Sequence, residues 1–180
     1  RPELYESSAR EISDGDPKLS QPFSTHGGSG IQDYANLYFV DEPATDLLLR
    51  NAERIVQTQA RKGRFGPIHK ALGSRELPGE SLMADAIKRE FQLALRRDPT
   101  PLEASRFIAS SGHPIGSQST LMAVLMLPEA LFRSELGEGP LDELGRLRLS
   151  QTEIARAINF ALRDRIDDKI FEAAGKGELA

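Results

Sequence analysis

The chain contains no cysteine and no tryptophan, and only 3 of its 180 residues are histidine. Without cysteine there are no disulfides, no Cys-type zinc clusters, no attachment point for c-type haem within these residues and no thiol nucleophile. Compartment stays open, because a secreted domain with a sufficient core needs no bridge. A basic excess is missing too: 27 Asp and Glu face 23 Lys and Arg, a balance that argues against a nucleic-acid partner. No apolar run approaches the ~18 residues of a membrane span. The longest is Leu121 to Leu127. The first residue is Arg1 rather than Met, which suggests a processed product or an excised piece.

What is present is helical. Residues 1–40 show no helical period and include the glycine-rich loop PFSTHGGSG and the short apolar stretch YANLYFV, so an irregular, extended lead-in is expected there. From Asp41 the pattern changes. Leu48, Ala52, Ile55 and Val56 share one face of a helix that Asp41 or Thr45 caps, Pro43 opens and Gly63 ends. Ala84, Ile87, Phe91, Ala94 and Leu95 define the next helix, halted before Pro99. Thr100 with Glu103, and Ser150 with Glu153, have the spacing of capping boxes, the first with Pro101 at the opening helical position. After the second, Ile154, Ala157, Ile158, Ala161 and Leu162 form the cleanest apolar stripe in the chain. A last short helix over DDKIFEAAGKG is predicted to end at Gly175. Pro128 must interrupt the apolar run, because it lacks an N–H and clashes with the preceding turn. One helix therefore ends near Met126 and another begins at Pro128, with Leu125, Ala130, Leu131 and Phe132 facing inward. The expected architecture is an all-α bundle of five or six helices over residues 41–180.

The segments LMAVLMLPEALFRSELG and RLSQTEIARAINFALRDRIDDKIFEAAGKGEL, preceded by FQLALRRDPTPLEASRFI, carry a resemblance. Together they resemble a helical domain of unknown function found in large secreted proteins of planctomycetes and related bacteria. The resemblance runs over residues 78–180 and is looser over 1–77. Asn159 and Arg163-Asp164 depart from it, standing where that family is more aromatic. It implies a secreted or periplasmic module of a multidomain protein whose parent chain often carries a c-type cytochrome domain. Haem c would then sit elsewhere in the parent chain, with no cofactor in this segment and the other domains of that chain as partners.

Candidate sites are sparse. His26, His69 and His113 are too widely spaced for a local metal motif, and no metal site is assigned. His113 lies in the Gly/Ser-rich turn that opens the apolar helix, beside Gly116, Ser117, Ser119 and Thr120, where backbone amides at a helix start can meet an anion. Neither a Walker loop nor a G-x-S-x-G elbow is present. Arg61, Lys62, Arg64 and Lys70 form a basic run, read as a solvated helix end. Arg133 and Glu135 are too close in sequence to pair along a helix. The binding candidates are thus His113, Ser117, Arg133 and Glu135, and no catalytic residue is assigned. The function expected is a non-catalytic scaffold or docking module beside a redox domain. The alternative is a carboxylate-based hydrolase or carbohydrate-processing domain using Glu135 and Asp164, which requires two carboxyls about 5–9 Å apart.

Overall fold

A computed structural model describes residues 2–22, 40–73, 78–112, 116–132, 135–162 and 167–179. Among these residues every regular element is helical: α1 Pro2–Ser13, α2 Glu42–Arg61, a 3₁₀ helix Gly66–Gly73, α3 Glu80–Leu95, α4 Pro101–Ser111, α5 Gly116–Leu125, α6 Pro128–Leu131, α7 Gln151–Leu162 and α8 Asp168–Gly175. The only β-type pairing among them is an isolated bridge between Glu138 and Arg148. The all-α reading therefore stands, with more helices than the five or six expected. The chain divides into two compact units, Arg1–Leu127 and Pro128–Ala180.

In the first unit, α2, α3 and α5 supply the core. Leu48, Ala52, Ile55 and Val56 of α2 are buried as their spacing predicts. From α3 come Met83, Ala86, Ile87, Phe91 and Leu95, and from α5 Leu121, Val124 and Leu125. Helix α5 packs on both α2 and α3, while the 3₁₀ helix rests against the same pair and adds Ile68. Helix α4 buries no residue fully. It still seats Phe107 edge-on against Phe91, with ring centroids 5.4 Å apart and an interplanar angle of 87°.

The helix boundaries follow local chemistry. The Asp41 carboxylate accepts from the Ala44 N–H at 2.8 Å and caps α2. Gly63, at φ 69°, turns the chain out of α2 in a conformation that favours glycine. Helix α3 ends at Leu95, earlier than Pro99 demands, because Arg96 takes the left-handed conformation. The Thr100–Glu103 box forms in full, with Glu103 accepting from the Thr100 N–H at 2.7 Å and donating its own N–H to Thr100 Oγ1 at 3.2 Å.

The N-terminal reading needs correction. Pro2–Ser13 is a helix, not extended lead-in. Tyr5, Ala9 and Ile12 recur at helical spacing, but serines interleave them and the stripe is too thin to stand out. Tertiary contact supplies what the pattern lacks. Asn51 hydrogen-bonds Tyr5, and Gln59 Nε2 donates to the Ile12 carbonyl at 3.4 Å, so α1 runs beside α2 in the same sense. After Asp14 and Gly15 the chain turns back. Asn51 then receives the Ser20 N–H at 2.9 Å and donates to the Ser20 carbonyl at 2.7 Å, while Arg54 donates to the Lys18 carbonyl at 2.8 Å. The YANLYFV stretch lies outside the described residues up to Phe39.

In the second unit, α7 and α8 form an antiparallel pair. The Asp167 N–H donates to Asn159 Oδ1 at 2.8 Å at one end, and the Leu179 N–H donates to Gln151 Oε1 at 3.0 Å at the other. Asn159, where the resemblance favours an aromatic residue, is thus buried and structural. The break at Pro128 is as predicted: α5 stops at Leu125 and α6 starts on the proline. Two inward-facing assignments fail. Phe132 is 41 % exposed, and the α7 stripe ends on Leu162 at 76 % exposed, because the buried line of α7 runs through Ala155 and Asn159 instead. The left-handed glycine after α8 is Gly177 at φ 74°, not Gly175, which is still helical.

Candidate functional site

The sequence candidates do not assemble into one site among the described residues. His113 and Arg133 lie outside them, as do His26 and Asp164, and the side chains of His69 and Lys70 are likewise not described. Ser117 is buried in the first turn of α5, against the core rather than toward solvent. Glu135 is exposed, in the connection after α6. Arg64 departs from the solvated basic run: its guanidinium reaches back to donate to the Glu11 carbonyl at 3.3 Å. Among the described residues no group of three or more His, Asp or Glu side chains could hold a metal ion. No helix among them is long and apolar enough to cross a membrane.

What sequence reading missed is a polar cluster inside the first unit. Glu90 of α3 and Gln59 of α2 are both fully buried. Gln59 Nε2 donates to Glu90 Oε2 at 2.8 Å, while Glu90 Oε1 and Gln59 Oε1 have no hydrogen-bond partner. Burial pushes the Glu90 carboxyl up to about 8, against the opposing pull of the Gln59 hydrogen bond and the Arg64 charge. Around this pair, Arg96 makes an ion pair with Glu11, and Arg64 holds the Glu11 carbonyl. The end of α1 is therefore fastened by side chains that follow α2 and α3. Glu90 sits one residue before Phe91 on the buried side of α3, and a carboxylate in that register is the only sequence signal that marked the cluster.

A second polar group organises the Pro128–Ala180 unit. The Glu153 carboxylate accepts from the backbone N–H of Leu136 at 2.7 Å, Gly137 at 3.1 Å and Ser150 at 2.8 Å. Burial acts to raise its pKa, yet those three N–H groups together with the Ser150 side chain hold it below the ordinary value. Glu153 thus caps α7 and ties down the connection entering it. Nearby, Arg156 pairs with Glu129 at 2.8 Å, with both side chains largely shielded. Outside this framework stands a set of exposed leucines: Leu136 at 78 %, Leu141 at 64 %, Leu144 at 73 % and Leu162 at 76 %.

Comparison with protein-family models, with curated proteins and with solved structures finds no match.

Proposed function

We propose that the chain is a non-catalytic helical module that docks against other domains of a secreted or periplasmic parent protein carrying c-type haem. The observation that carries this reading is the second unit's surface. Leu136, Leu141, Leu144 and Leu162 are exposed there, while among the described residues those buried are Ala155, Asn159 and Ala174. A unit that holds these leucines in water gains stability by covering that apolar surface with a partner. The resemblance over residues 78–180 to domains of large secreted proteins supports a partner within the same parent chain. The polar side chains of Gln59, Glu90, Arg64 and Arg96 support the non-catalytic part, because they are engaged in fastening helices.

The test is an absorption spectrum with a pyridine haemochrome assay on the native full-length polypeptide that contains this segment. A c-type haem signal is expected. Its absence overturns the electron-transfer setting. The hydrolase alternative gains no support from Glu135, which is exposed, and Asp164 lies outside the described residues.

A further inference from the structure

Glu90 Oε1 and Gln59 Oε1 present an unusual problem. Both are acceptors, both are buried, and neither has a hydrogen-bond partner. They belong to side chains already joined through Gln59 Nε2 and Glu90 Oε2 at 2.8 Å. An ionised carboxylate has no hydrogen to offer, so each of the two oxygens would be left as a bare buried acceptor. Buried polar atoms in native proteins are almost always satisfied, and an unpaired buried charge is costly. One proton on Glu90 Oε1 removes both faults, since the acid O–H donates to Gln59 Oε1 while the amide N–H donates to Glu90 Oε2. That is the two-bond pairing of a carboxylic acid with a primary amide.

We propose that Glu90 and Gln59 form a neutral acid–amide pair, and that this pair is a proton-operated latch holding the end of α1 against α2 and α3. The link to α1 is direct. The same Gln59 Nε2 donates to the Ile12 carbonyl, and Arg64 donates to the Glu11 carbonyl one residue earlier. Arg64 Nε is itself buried without an acceptor. When Glu90 loses its proton, the new carboxylate competes for the Arg64 guanidinium and draws it from the Glu11 carbonyl, loosening α1.

The charged groups around Glu90 agree with this assignment. Helix α1 contributes Glu11, paired with Arg96 from beyond α3, and Arg64 follows α2. On α4, Glu103 is engaged with Arg97 and Arg106 is exposed, while α5 has no ionisable side chain. Helix α1 also carries Tyr5, which hydrogen-bonds Asn51 and whose pKa burial raises, and the 3₁₀ helix carries His69 and Lys70, whose side chains are not described. The burial-raised pKa of Glu90 supports the same protonation state independently of the hydrogen-bond argument.

The sign of the effect follows from linkage. The folded pKa, about 8, lies above the ordinary 4.5. Stability from the retained proton is complete below 4.5 and is lost as pH rises to about 8, the folding constant falling by up to about tenfold per pH unit. The decisive experiment is infrared spectroscopy of the full chain at neutral pH, paired with amide hydrogen exchange across the Glu90 titration. The expected result is a protonated-carboxyl carbonyl band at neutral pH that disappears on titration and is absent in Glu90→Gln. Exchange in α1, relative to α4 and corrected for intrinsic rates, should rise on the alkaline side. Glu90→Gln, which restores an N–H donor toward Gln59, should keep α1 protected on both sides. No carboxylic-acid band in the wild-type chain overturns the neutral pair, and α1 protection that tracks α4 throughout overturns the latch. The wild-type measurements decide both points even if Glu90→Gln fails to fold.

Discussion

The two units of this chain reach order by different physical means. In Arg1–Leu127, large apolar side chains fill the interior: Leu48, Ile68, Met83, Ile87, Phe91, Leu95 and Leu121 are all essentially inaccessible. In Pro128–Ala180, the buried apolar residues among those described are Ala155 and Ala174, and caps and side-chain ties to backbone are prominent, above all those of Glu153 and Asn159. Burying a large apolar side chain contributes roughly 1.5–3 kcal/mol. A hydrogen bond contributes about 0.5–1.5 kcal/mol net. The first unit therefore rests on volume and the second on geometry, so the same kind of substitution should have unequal effects in the two.

The largest expected effect tests the volume side. Phe91→Ala removes a fully buried ring that meets Phe107 edge-on and lies under the Arg97 guanidinium at 5.3 Å, and should destabilise the first unit by about 3–5 kcal/mol in chemical denaturation. A loss under about 1 kcal/mol would show that the first unit is not held by its core.

Next comes the geometric side. Gly137, at φ 72°, leaves no room for a side chain: a Cβ would sit 2.6 Å from Leu147 Cβ and 3.0 Å from the Arg148 carbonyl oxygen. Gly137→Ala should cost roughly 1–3 kcal/mol, read as faster amide exchange in α7 with α2 and α3 unchanged. If α2 and α3 lose protection equally, the two units do not unfold separately and the contrast fails.

A smaller effect is expected at the Thr100 cap. Thr100→Ala should cost about 1 kcal/mol. Its pH dependence is distinctive because Glu103, the other half of the box, is held down at about 2 by hydrogen bonds from Arg97, against opposing burial and with help from Thr100. A depressed folded pKa stabilises above the ordinary value of 4.5 and the benefit is lost as pH falls toward 2. Acid titration of stability should therefore reveal this contribution in the wild-type chain and a reduced one in Thr100→Ala.

The smallest expected effect is at the exposed leucines. Leu144→Ser should change the stability of the isolated chain by no more than about 0.5 kcal/mol, because that side chain is already in water. A marked loss by thermal melting would mean that the leucine is covered in solution.

Much of the fold was legible because it depends on near neighbours in sequence. Pro128 forces a break through its missing N–H, the two capping boxes declare helix starts through a three-residue spacing, and the α2 stripe declares its own buried face. The failures share another cause. Helix α1 was hidden because its stripe is weak until Asn51, Gln59 and Arg64 hold it. The α7 stripe misled because an amphipathic pattern gives a face without saying whether anything covers it, and Leu162 remains in water.

The sequence by itself determined an all-α chain, the places where its main helices start and stop, and the lack of cysteine chemistry, since each depends on residue type or short-range spacing. Only the tertiary structure decided that Ser117 faces the core, that Arg64 turns inward, and that the buried Glu90 carboxyl accepts from the Gln59 amide. Those outcomes turn on residues dozens of positions apart being brought together out of water, where a carboxyl group's charge and its partners are set by its surroundings rather than by its neighbours in the chain.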